Sequence, residues 1–486
     1  KSGTLPQIRP FIADPAVPDF DASATEYVDT PTLREMGLTP FYATGLSGSG
    51  ISVGVLDSGI DGDHEELDGR VSGGGDWQGD TQGVTDPFGH GTHVASIIAA
   101  ARNQRGIHGV APYADLVSYR ILNAEGRFGS QSGNDMVPAI LGNARSRGLP
   151  VINNSWASIY EINDIPKSTL DQILRQELQS YFQLAQVNGP IMVWAAGNDS
   201  DDQVSIRSGL PYHYTDLRQN WLTVVAADNN LREPRYTNRC GVAQAWCITA
   251  PGGGDDQYSG GIYAAIPDDQ YSRKSGTSMA APHVAGVASL MKGIYPDLTP
   301  NQFDTAIILG FATTDFGDPG KDQHFGYGLI DADKALQTAE ALTTGIDTDF
   351  PPLLLLSNSR SNLGATGTQV VIQAINAGGG SLTISQVSKS ASNISVSEPN
   401  TADGLGDYII TINRNGLAEG VYQGAVEFMS DAGTRTLLID YEELPSGSEE
   451  PNAGQFYTLL YNVETEEVEK QVSNQVNSGQ YDFTLF

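Results

Sequence analysis

Between residues 50 and 340, roughly, the chain alternates short apolar runs with longer segments of helical periodicity, and few folds tolerate that rhythm. The runs are Ile51–Leu56, Ala114–Tyr119, Val151–Asn154, Ile191–Ala195 and Leu222–Ala227; helical segments His90–Ala101, Met136–Arg147 and Leu170–Val187 lie between them. Each run has the length of a strand and little of the polar alternation of a half-exposed one, as in sheets buried on both faces. Strand, helix and strand in repetition predict an α/β fold, a parallel sheet covered by helices on both faces. In such sheets the functional groups gather at the carboxyl ends of the strands.

The rest of the chain divides around that unit. Residues 1–30 hold Pro6, Pro10, Pro15 and Pro18 and read as an extended N-terminal arm. The α/β unit is expected over 31–342, a linker over 343–352, an antiparallel β-sandwich over 353–443, a second linker over 444–453 and a short β segment over 454–486. Alternating runs such as Val370–Ile372, Tyr408–Ile412 and Ala425–Phe428, separated by glycine clusters, carry the sandwich. Strands are also expected around Phe456–Tyr461 and Tyr481–Phe486.

Charge narrows the partners. The 486 residues include 27 Lys plus Arg against 58 Asp plus Glu, for a net charge of −31. Binding to nucleic-acid phosphates needs a basic surface, so that class is excluded. No apolar stretch reaches the length of a membrane-spanning helix. The opening Lys1-Ser2-Gly3 has no signal-peptide core, so an exported protein would be met here in processed form. The two cysteines, Cys240 and Cys247, flank Gly241 to Trp246 with no metal-ligand set around them. A short-loop disulfide of an exported protein is expected, and two reduced buried thiols are the alternative.

Chemistry concentrates in four stretches. Gly276-Thr277-Ser278-Met279-Ala280-Ala281-Pro282-His283 opens a helix, apolar nearly all round, over Met279–Lys292. Ser278 would stand on its first turn, where free backbone N–H groups favour developing negative charge. Taken alone, this is equally a helix cap before a core helix. Asp57 ends the strand Ile51–Leu56, His90 sits between Gly89 and Gly91 at a helix start, and Asn198 follows Gly197 at the end of Ile191–Ala195. A serine hydroxyl is a poor nucleophile at neutral pH and needs an imidazole to take its proton. A buried carboxylate can orient that imidazole, and a neutral amide can receive an oxyanion.

In the order Asp, His, Ser, with Val55-Leu56-Asp57-Ser58-Gly59-Ile60, His90-Gly91-Thr92-His93-Val94-Ala95 and Ala196-Gly197-Asn198, the chain resembles the subtilisin-like serine proteases over roughly residues 45–342. The resemblance implies a serine endopeptidase acting on protein or peptide substrates through an acyl-enzyme. Asp57 would orient, His90 act as general base and acid, Ser278 attack, and the Ser278 N–H and Asn198 amide hold the oxyanion. It implies that His93 and His283 are core residues. An extended peptide would lie along Ser155-Trp156-Ala157-Ser158 beside Gly197. Trp156 replaces a smaller apolar residue there, either altering the specificity pocket or filling the core.

Around Cys240–Cys247 and Ala250-Pro251-Gly252 the chain resembles the bacterial exported subgroup, which includes autotransporter proteases. That implies a secreted or cell-surface location, an N-terminal propeptide during maturation, and a monomer. A structural calcium ion is implied at the loop 101–107, with Asn103 at a ligand position and Glu66 where an aspartate is usual. No organic cofactor is implied. A second reading, a surface adhesion protein built on an inactive scaffold, would require the loss of Asp57, His90, Ser278 or Asn198, and all four are present.

Overall fold

The computed structural model describes residues 20–76, 85–127, 133–185, 189–343 and most of 352–443, with the backbone of 456–462 and 467–473. The start of the N-terminal arm, residues 344–350 of the first linker, the second linker and the strand expected at Tyr481–Phe486 lie outside the described residues. The chain divides into two compact units, one of residues 1–355 and 376–381, the other of 356–375 and 382–486.

The first unit carries β1 (Ser52–Asp57), β2 (Val71–Asp76), β3 (Asp115–Arg120), β4 (Val151–Asn154), β5 (Ile191–Ala195), β6 (Trp221–Ala227), β7 (Cys247–Pro251), the hairpin β8 (Ile262–Ile266) and β9 (Gln270–Lys274), and the short β10 (Thr313–Thr314) and β11 (Leu329–Ile330). All but the hairpin join one sheet in the order β10-β11-β7-β6-β5-β4-β1-β3-β2. Every pairing in it is parallel except β10 with β11. The α-helices longer than four residues are α1 (Gly91–Ala99), α2 (Gly133–Arg147), α3 (Lys167–Ile173), α4 (Arg175–Leu184), α5 (Thr277–Ile294), α6 (Pro300–Ile308) and α7 (Ala332–Leu342); single helical turns lie at Thr25–Val28, within the expected extended arm, and at Thr32–Glu35, Thr39–Tyr42 and Gln257–Gly260.

Side-chain alternation explains the two-sided cover. Val53 and Val55 of β1, Val151 of β4 and Val193 of β5 point into one core with α1 and α5. Leu56, Ile152, Met192 and Trp194 from the same strands point into the other, with α2 and α4. A period of two on a sheet buried on both faces produces this split. Helix α5 is buried from Thr277 to Met291, which accounts for its lack of a polar face. Thr299 and Gln302 close a reciprocal capping box at the start of α6.

The single helix expected over Leu170–Val187 is two, α3 and α4, because Leu174 leaves the helical region at φ −111° and ψ 16°. Strand β2 and the β8–β9 hairpin were not expected. Glycine fills Gly73 to Gly75 of β2, so no apolar alternation announces it.

The C-terminal strands are β12 (Leu354–Leu356), which ends at the first residue of the second unit, β13 (Arg360–Asn362), β14 (Gln369–Asn376), β15 (Ile384–Lys389), β16 (Ile394–Ser397), β17 (Gly406–Ile412), β18 (Gly420–Ser430) and β19 (Gly433–Glu443). They form two four-stranded sheets, β12-β14-β17-β16 and β13-β19-β18-β15. Ile372, Tyr408, Ile410, Val426, Phe428, Leu437 and Ile439 are buried between them. Tyr408 meets Phe428 edge-on at 4.9 Å. The sandwich is not wholly antiparallel, since β13 runs parallel to β19. A separate hairpin pairs β20 (Phe456–Asn462) with β21 (Glu467–Ser473).

Candidate active site

Asp57 is the last residue of β1 and is fully buried. Its Oδ1 accepts the Ser58 N–H at 2.8 Å and lies 2.7 Å from His90 Nδ1. His90 immediately precedes α1, with its side chain 18% exposed. One ring edge is thus tied to the carboxylate, which leaves Nε2 for other partners. Burial alone would push the imidazole down, but the Asp57 charge and hydrogen bond outweigh it and raise His90 above its ordinary value. The close approach depends on Gly91, where a Cβ would fall 2.0 Å from the Gly59 carbonyl oxygen.

A residue that sequence reasoning missed clasps this half together. Asp86 is buried, and its Oδ1 accepts from Ser58 Oγ at 2.7 Å, Gly89 N at 2.8 Å and Phe88 N at 3.3 Å. Its Oδ2 accepts from Thr92 N at 2.8 Å and Thr92 Oγ1 at 2.7 Å. Ser58 Oγ in turn accepts the Gly91 N–H at 2.9 Å. One carboxylate therefore joins the end of β1, the turn before His90 and the first turn of α1. Charged acceptors form the stronger class of hydrogen bond.

Ser278 lies in the first turn of α5 and is 8% exposed. Its Oγ donates to the Ser155 carbonyl at 3.0 Å, and Ser155 Oγ donates to the Ser278 carbonyl at 2.9 Å. The second bond has a cause in the sequence. Position 282, four residues on, is proline and has no N–H for the Ser278 carbonyl. No hydrogen bond joins Ser278 to His90 among the described residues. The two halves are nevertheless neighbours in the sheet. Leu56 is in register with Asn154 on the adjacent strand, so Asp57 and Ser155 both stand one residue beyond that pair. Adjacent strands lie about 4.8 Å apart. Catalytic hydrogen bonds are often long before substrate binds.

Asn198 stands exposed beyond the end of β5. Its Oδ1 accepts from Thr277 N at 2.8 Å and from Thr277 Oγ1 at 3.0 Å. Those two donors determine which way the amide faces, and its NH2 group has no hydrogen-bond partner among the described residues. Gly197 adopts φ +123°, and a Cβ there would lie 2.5 Å from Asn238 Nδ2. Thr277 was read only as a helix opener; its partner lies 79 residues away in the chain.

The remaining expectations divide. The Trp156 indole is 5% exposed and packs edge-on against Trp194 at 5.3 Å, with the Arg207 guanidinium 4.8 Å above its ring. Its side chain is a core group, turned inward onto the aromatic cluster beyond the end of β4. Ala157 is exposed. Cys240 and Cys247 form a disulfide. His93 and His283 are buried, and burial pushes them to about 3 and about 4 respectively, so both are neutral.

Glu66 and Asn103 do converge, yet as a hydrogen-bonded cluster. Glu66 Oε1 accepts from Ile107 N at 2.9 Å and Tyr271 OH at 2.8 Å, and Oε2 accepts from Asn103 Nδ2 at 3.4 Å. Asn103 Oδ1 accepts the Arg105 N–H at 2.9 Å. Glu26 Oε2 takes the N–H groups of Asn103, Gln104 and Arg105 at 2.9, 2.6 and 3.2 Å. Burial, with the charges of Glu26 and Glu65, raises Glu66 to about 7. A hard cation wants an open shell of oxygens. These oxygens already serve protein donors, so as placed the set does not fit calcium. No group of three or more His, Cys, Asp or Glu among the described residues could hold a metal ion.

Comparison with known proteins gives a consistent result. The subtilase family profile matches residues 48–328. Subtilisin DY of Bacillus licheniformis is 32% identical over 298 residues, covering 61% of this chain and 94% of that protein. Alkaline elastase YaB of Bacillus sp. (strain YaB) is 32% identical over 330 residues, 66% of this chain and 75% of that protein. An extracellular serine protease of Serratia marcescens is 27% identical over 364 residues, 63% of this chain but 33% of that protein.

Proposed function

Because the chain belongs to the subtilase family and is a subtilisin-like serine endopeptidase, we propose that Asp57, His90 and Ser278 perform its chemistry through an acyl-enzyme. The 2.7 Å contact between Asp57 Oδ1 and His90 Nδ1 carries the reading. With that nitrogen donating to the carboxylate, Nε2 is the basic one. It takes the Ser278 proton as Oγ leaves the Ser155 carbonyl and attacks the substrate carbonyl carbon. The Ser278 N–H and the Asn198 amide receive the oxyanion, in the orientation Thr277 imposes. As the tetrahedral intermediate collapses, the C–N bond breaks and His90 gives its proton to the departing amine. Water then repeats the sequence on the ester, and Ser278 is restored.

The substrate chain would extend along 155–157 by backbone hydrogen bonds, since Trp156 contributes no side chain there. A secreted location is supported by the printed description of the Serratia relative as extracellular and by the disulfide. An N-terminal propeptide during maturation, a monomeric state and the domain boundaries at 342 and 353 belong to the same reading.

Replacing Ser278 with Ala is expected to abolish covalent labelling by a fluorophosphonate. Labelling at the wild-type level would remove Ser278 from the reaction.

A further inference from the structure

Beside the candidate oxyanion donor lies a cavity of about 300 Å³ lined by Asn198, Tyr236, Asp255, Asp256, Tyr258 and Ser275. The reaction described above does not use it. It shares Asn198 with the reaction centre, and Ser275 lies three residues before Ser278. Its lining residues include none of 155–158, along which the proposed reaction runs the acyl half of a substrate. A peptide leaves the attacked carbon in two directions, and the leaving-group half is the one assigned to this cavity below.

The walls have a definite chemistry. Tyr236 OH donates to the Gly252 and Gly253 carbonyls at 2.9 and 2.6 Å, which fixes its ring as one wall. Tyr258 is 83% exposed at the rim. Ser275 Oγ is buried without a hydrogen-bond partner among the described residues. Asp255 and Asp256 are exposed carboxylates on the same rim. Asp256 Oδ1 accepts the Tyr258 N–H at 3.0 Å, which places aromatic and acid side by side. Arg235 is the competing cation. Its backbone N–H donates to Asp255 Oδ1, and its Nε lies 3.6 Å from Oδ2 on a side chain 93% exposed.

We propose that this cavity is a specificity subsite that takes a lysine or arginine side chain from the leaving-group half of the substrate. The aliphatic stem would lie on the tyrosine rings and the cationic head against Asp255 and Asp256. The assignment rests on the hydrolase reading above and deepens it by naming a substrate class. Arg235 acts as a stand-in that a substrate cation displaces, since a solvent-exposed pair is weakly held.

The test uses the full chain and a set of peptides that differ only at the first two residues after the cleaved bond. Lys or Arg at one of these positions is expected to raise kcat/KM roughly fivefold over Leu and more over Glu, the scale of one or two exposed ion pairs. The ratio should shrink as salt rises. In the double variant Asp255→Asn, Asp256→Asn the cation-to-Leu ratio should fall to about one, whereas Arg235→Ala should increase it. Equal cleavage of all peptides by the wild-type protein, or a ratio unmoved in the double variant, would overturn the subsite. Failure to cleave any peptide would overturn the hydrolase reading as well, and so is distinguishable from failure of the subsite alone.

Discussion

The two halves of the candidate active site are built in opposite ways. The acid–base half is held by charge: the buried Asp86 carboxylate accepts from Ser58, Phe88, Gly89 and Thr92 and so seats Asp57 and His90 together. The nucleophile–oxyanion half is held by neutral groups: Ser155 and Ser278 exchange hydrogen bonds, and Thr277 orients Asn198. The difference follows from what each half must do. In the proposed reaction His90 carries a positive charge in the transition state, which nearby anions stabilise. In the same reaction the groups that hold Ser278 and Asn198 in place bring no negative charge into contact with the one that forms. The same carboxylate placed beside Ser278 would oppose the reaction.

Direct removal of each half's central group gives the largest effects. Asp57→Asn should lower kcat by about 10⁴, because the imidazole loses its orienting anion and the correct tautomer. Asn198→Ala should lower kcat by about 10² to 10³, with KM little changed, because the donor acts on charge present only in the transition state. Steady-state kinetics on one soluble peptide would check both. A larger loss for Asn198→Ala than for Asp57→Asn would invert the comparison.

The supporting residues separate the halves more sharply. Thr277→Val should cost roughly tenfold in kcat, and in combination with Asn198→Ala the losses should not add, because Thr277 acts through that amide. Full additivity in a double-mutant cycle would break the link. Asp86→Ala should destabilise the fold by about 3 kcal/mol or more, since it strands several buried donors. Chemical denaturation would measure this.

The smallest effect is the most selective. The kcat/KM profile should rise with pH through the His90 value, since only the neutral imidazole can act as base. That value lies above the ordinary histidine one because the pull of Asp57, aided by the Asp86 charge, exceeds the effect of burial. Asp86→Asn removes one of those charges at constant size and should move the acidic limb toward lower pH. Thr277→Val should leave the limb where it is. A limb that moves in both variants, or in neither, would show that the halves do not differ electrostatically.

How much of this could be read before folding depends on where each residue's partners lie. Asp57, His90, Asn198 and Ser278 could be proposed from the sequence because each sits at a strand end or helix start and their motifs, taken in order, resemble those of the subtilisin-like proteases. Asp86 stands before a proline in a polar stretch and looks like any turn residue. Its importance comes from Ser58, 28 residues upstream, and from the first turn of α1. Strand β2 escaped notice because glycines carry no alternation.

By itself the sequence determined the α/β rhythm, the two-sided burial of the sheet and the close pair of cysteines, which follow from local composition and spacing along the chain; the four candidate site residues were reached through motifs that resemble those of the subtilisin-like proteases. Only the tertiary structure decided that Trp156 belongs to the core, that Glu66 and Asn103 serve protein donors, that the Ser278 carbonyl freed by Pro282 turns to Ser155, and that two aspartates border a cavity beside Asn198. Such outcomes depend on which groups distant in the chain compete for the same space and the same hydrogen bonds. That competition is resolved only once the strands have been laid side by side.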